Sequence, residues 1–86
     1  MSQPRTDEER VLKMCERMRL LIAIDDEIPA KTKLETQPVL KLLEAAVAEE
    51  DRAQASQHYS LLYRELNRYP DLEALLAAMR VFLPHL

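Results

Sequence analysis

The side chains able to do chemistry in this chain are few. Cys15 is the single cysteine, and His58 and His85 are the two histidines. A cysteine nucleophile needs a lowered pKa and a base within reach. Arg19 stands one turn beyond Cys15, but Met14 and Met18 place the thiol in an apolar stripe, where a free cysteine acts as a small hydrophobe. One cysteine and two scattered histidines do not make a zinc site, which takes four ligands at close spacing. His58, beside Tyr59, reads as a half-exposed helical residue or as an acid–base or contact residue. His85 falls in the C-terminal tail.

Acids cluster at Asp25-Asp26-Glu27 and at Glu49-Glu50-Asp51. Consecutive acids fan out around a helix instead of converging on one ion. Paired E-x-x-E and E-x-x-D motifs, which could hold magnesium between adjacent helices, do not occur. Neither a metal nor a cofactor is expected. The only metal-dependent alternative is a nucleotide hydrolase assembled across an oligomer from Glu44, Glu49 and Glu50. Arg10, Lys13 and Arg17 form a short basic stripe interleaved with Glu9 and Glu16, suited to solvent or to an acidic partner.

The stretch from His58 to Tyr69 is the most informative. It holds all three tyrosines, together with Arg64 and Arg68. Tyrosine and arginine are enriched at interface hot spots. Tyr59 and Tyr63 share a helix face, beside Leu62 and Leu66. Such tyrosines either line the edge of a core with their hydroxyls in water or meet a partner. Phe82 and Leu83, near an unusually apolar chain end, either close the core or pair with another chain. The partner-binding candidates are therefore Tyr59, Tyr63, Arg64, Phe82 and Leu83.

The elements that must position these residues are constrained by one absence: the 86 residues include no glycine. Glycine-rich phosphate loops, dinucleotide fingerprints, nucleophile elbows and EF-hand loops all need it. Tight hairpins favour it too, so a β-sheet fold is not expected. Helix ends cannot use a glycine in the left-handed cap, so they are expected to stop at proline.

Hydrophobic spacing predicts an all-α fold, a single domain over 1–86 built as a bundle of about four helices. Residues 1–5 read as a frayed tail. Helix one is expected over 7–26, capped by Thr6 with Glu9 as its reciprocal partner. A polar connection over 29–36 follows. Pro38 opens helix two, expected over 38–49. No proline or glycine separates 38 from 69, but the hydrophobic phase shifts. Val39, Leu43, Ala46 and Val47 lie about 140° around the helix from Ala55, Tyr59, Leu62 and Leu66. A turn near Glu49–Arg52 is therefore expected, with Asp51 and Gln54 as a capping pair and helix three over 52–68. Asp71 caps helix four, over 71–83.

Charged residues are 31% and hydrophobic residues 48%, too apolar for a disordered chain. A net charge of −3 gives no general attraction for nucleic acid or an anionic membrane. The longest uncharged apolar run, Leu20 to Ile24, is far short of the ~20 residues a membrane span requires. With no signal-peptide pattern and no possible internal disulfide, a cytoplasmic setting is expected. The functional expectation is a non-enzymatic protein–protein interaction module working by helix-face docking, with a homodimer or another protein as partner. A DNA-binding regulator is the weaker alternative, because no basic recognition helix is present.

Overall fold

The computed structural model describes residues 7–83. The expected tail over 1–5, the Thr6 cap, Pro84 and His85 lie outside the described residues. Four helices and no strand occur among the described residues: α1 (Asp7–Ile24), α2 (Ala30–Ala48), α3 (Arg52–Leu66) and α4 (Pro70–Phe82). Each packs on the next in sequence, and α4 returns to α1. The core lies inside this ring. Val11, Cys15, Met18 and Ile22 enter from α1, and Leu40, Leu43 and Val47 from α2. Ala55, Tyr59, Leu62 and Leu66 come from α3, and Leu72, Leu76 and Met79 from α4.

The largest departure from expectation is the start of α2. The segment expected to be a connection is helix from Ala30 onward, and Pro38 sits inside α2. Pro29 supplies the start, with φ −58° and ψ 148°. Ala30 to Gln37 contains good helix formers and no breaker. Thr36 continues the buried stripe of Leu40, Leu43 and Val47, and its hydroxyl donates to the Thr32 carbonyl at 2.8 Å. Read as a polar residue, it hides one turn of that stripe. Pro38 faces solvent. It deprives the Leu34 carbonyl of its helical donor, but Leu34 is 75% exposed, so water can take that place.

The first helix ends two residues earlier than its periodicity suggests. The Asp25 carboxylate accepts the Glu27 amide at 2.8 Å, a local turn that competes with continued helix. That leaves the Ala23 carbonyl without its helical donor, and Lys33 of α2 donates to it at 3.1 Å. Ile28 then turns inward and is buried.

The turn between α2 and α3 falls where the phase shift puts it, but its mechanism was not expected. Glu50 adopts φ 57°, the left-handed conformation usually given to glycine. Its amide donates to Val47 O at 3.0 Å, and the Asp51 amide to Ala46 O at 2.8 Å, a complete Schellman closure. Asp51 then caps α3, its carboxylate accepting the Gln54 amide at 3.2 Å. The Asp51 amide is already spent on Ala46, so the reciprocal half of the expected capping pair is replaced by the closure. α4 starts one residue early: Tyr69 is its N-cap, Pro70 its first residue, and Asp71 lies inside the first turn instead of capping it.

Candidate functional site

α3 and α4 bring the tyrosines and one unforeseen arginine together. Tyr59 and Tyr63, one turn apart on α3, stack with ring centroids 6.2 Å apart. Arg80 of α4 lies over both, 5.0 Å from the Tyr63 centroid and 6.0 Å from that of Tyr59. The Tyr59 hydroxyl, and after it that of Tyr63, hold the Arg80 pKa above the ordinary arginine value. Tyr59 is buried, and its hydroxyl donates to the Leu76 carbonyl at 2.6 Å. It is a core residue with a satisfied polar tip.

The five expected partner-binding residues separate accordingly. Tyr59 and Leu83 are buried in the chain's own core. Tyr63 is half-buried under Arg80. Phe82 is half-buried on another side, where the Arg10 guanidinium lies 5.5 Å from its ring centroid. Arg64 is exposed, beside Glu65 at 3.9 Å, on the edge of α3 that faces Glu35, Thr36 and Val39 of α2. Tyr59, Tyr63 and Leu83 thus belong to one neighbourhood, and Arg64 and Phe82 to two others. Arg80 was missed because only its position as the basic residue in the last turn of α4 marks it in the sequence. Its partners are set by packing.

Cys15 is wholly buried, and its thiol is pushed up to about 12. Desolvation is the main cause, and the nearby Glu44 carboxylate adds to it against the smaller opposing effect of Arg19. At neutral pH it is a thiol, not a nucleophile. Glu44 forms an ion pair with Arg19 that ties α2 to α1. Glu49 and Glu50 are exposed in the α2–α3 turn. Among the described residues no three His, Cys, Asp or Glu side chains converge as metal ligands would. Asp25, Asp26, Glu27 and Asp71 rim a hollow of about 370 Å³ where α1 ends and α4 begins.

Large apolar side chains remain uncovered. On α1, Leu20 is 62% and Ile24 71% exposed, and Leu34, Leu42 and Val81 are also more than half exposed. No helix among the described residues is long and apolar enough to cross a membrane. Comparison with protein-family models, with curated proteins and with solved structures gives no match for this chain.

Proposed function

We propose that this chain is a non-enzymatic interaction module that docks by a helix face, with a second copy of itself as partner. The observation that carries the reading is the outward side of α1. Leu20 and Ile24 stand one turn apart there, on the side opposite the stripe of Val11, Cys15, Met18 and Ile22 that fills the core. Adjacent, exposed large apolar side chains are a common mark of an interface.

Charge supports self-pairing. Lys13 and Arg17 are exposed toward the start of α1, and Asp26 and Glu27 are exposed just past its end. A two-fold axis perpendicular to α1 runs two such helices antiparallel, so Lys13 and Arg17 of one copy, interleaved with Glu9 and Glu16, come opposite Asp26 and Glu27 of the other while Leu20 and Ile24 meet between them. Tyr63 and Arg64 belong to α3, which does not pack on α1, and lie away from this face. Tyr59 and Leu83 act by holding the core that shapes the surface.

Light scattering after size exclusion tests this at high micromolar concentration. The expected mass is twice the 10.0 kDa of one chain. The double variant Leu20→Glu, Ile24→Glu should keep its helicity by circular dichroism and run as a monomer. A monomeric wild-type chain overturns self-pairing. A dimer that survives in the double variant takes the interface off α1.

A further inference from the structure

We infer that the hollow where α1 ends and α4 begins receives the Arg17 guanidinium of a second copy of this chain. The inference rests on the self-pairing proposed above and adds α4 to that interface. The hollow holds about 370 Å³. Leu21, Tyr69 and Leu72 give it apolar walls, and Asp26, Glu27 and Asp71 give it negative charge. These three acids are exposed, and among the described residues none of them has an ion pair. None of the lining residues is basic. The Asp25 carboxylate, by accepting the Glu27 amide, fixes the turn that carries Asp26 and Glu27.

The matching cation stands on the same helix. Lys13, Arg17, Leu20 and Ile24 follow one another at spacings of four, three and four, so they share the outward side of α1. All are exposed. Arg17 precedes Leu21 by one turn, and Leu21 lines the hollow, so Arg17 stands on the α4 side of that face. Among the described residues no carboxylate pairs with Arg17. The hollow of its own copy is out of reach, because Asp25 lies about 12 Å further along the helix axis.

The two-fold axis brings the two together. Lying in the contact plane and perpendicular to α1, it reverses the helix but leaves α4 on the same side of both copies. With the axis between Leu20 and Ile24, Leu20 of each copy meets Ile24 of the other. Arg17, three residues before Leu20, then falls level with Glu27 of the other copy, three residues after Ile24. It does so on the α4 side, where the hollow lies. A planar guanidinium suits such walls, since it stacks on an aromatic ring and divides its five donors among carboxylates. Symmetry makes the contact twice.

Sedimentation equilibrium of the full chain measures the dimer dissociation constant, with circular dichroism to confirm helicity. Arg17→Glu should raise the constant about tenfold or more, because both copies of a charge-assisted contact are lost. Asp71→Arg should raise it severalfold, although Asp71 belongs to α4. Combining Arg17→Glu with Asp71→Arg should recover part of the loss. Glu73→Arg reverses an acid in the same first turn of α4 that does not line the hollow, and it should leave the constant unchanged. A monomeric wild-type chain overturns the self-pairing and the role of the hollow together. A dimer lost in Leu20→Glu, Ile24→Glu but intact in Arg17→Glu and Asp71→Arg keeps the self-pairing and overturns the role of the hollow. Equal weakening by Glu73→Arg and Asp71→Arg also overturns it, because general charge would then govern pairing.

Discussion

Cys15 shows burial overriding intrinsic reactivity. An exposed thiol ionises near 9.0, and in the fold this one does so near 12. The group's folded pKa is the raised one, so its contribution to stability is complete below pH 9. As pH climbs from 9 toward 12, the unfolded thiol ionises while the folded thiol cannot, and stability falls. Urea unfolding at about pH 8 and about pH 10.5 should show a larger loss for the wild type than for Cys15→Ala, which lacks the group. Equal losses would place the alkaline sensitivity elsewhere. The burial of Cys15 was legible from the methionines that flank it. Arg80 was not, because cation–ring contacts join residues distant in sequence, and no spacing rule marks them.

The α2–α3 turn carries its strain at one position. A residue with a Cβ in the left-handed region costs about 1–2 kcal/mol relative to the right-handed one, and glycine avoids most of that cost. Glu50→Gly should therefore stabilise the fold by about 0.5–1 kcal/mol, part of the gain being cancelled by the freer unfolded chain. For a domain of this size that is a rise of roughly 2–8 °C in Tm by thermal denaturation. A lower Tm would mean that the Glu50 side chain contributes something its backbone does not reveal. The turn's location followed from hydrophobic phase alone, since a straight helix would have buried opposite sides in its two halves. Its geometry did not, because the absence of glycine pointed away from a left-handed cap. α2 teaches the converse. Its first two turns were hidden by Pro38 and by Thr36, a proline tolerated on the solvent side and a polar residue whose hydroxyl is satisfied within its own helix.

At the scale of the molecule, the all-α architecture and the buried stripe of α3, Ala55, Tyr59, Leu62 and Leu66, were legible, because apolar spacing is a property of one chain segment at a time. The surface was less so. Tyr59 and Leu83 have the composition of interface residues, and the fold uses both internally. Leu20 and Ile24 bound the longest uncharged apolar run, and the ring of four helices covers only one side of it. That mismatch is the observation on which the proposed self-pairing rests.

The order in which the helices touch also governs how fast the chain can find its fold. Three of the four helix interfaces join neighbours in sequence, and only the seam of α1 on α4 closes a long loop. Chains dominated by local contacts fold in microseconds to milliseconds. The dominant refolding phase in stopped-flow fluorescence of the tyrosines should therefore lie at or below the millisecond range. A main phase of seconds would mean that the α1–α4 seam limits the search, not the last step of a zipper that runs along the chain.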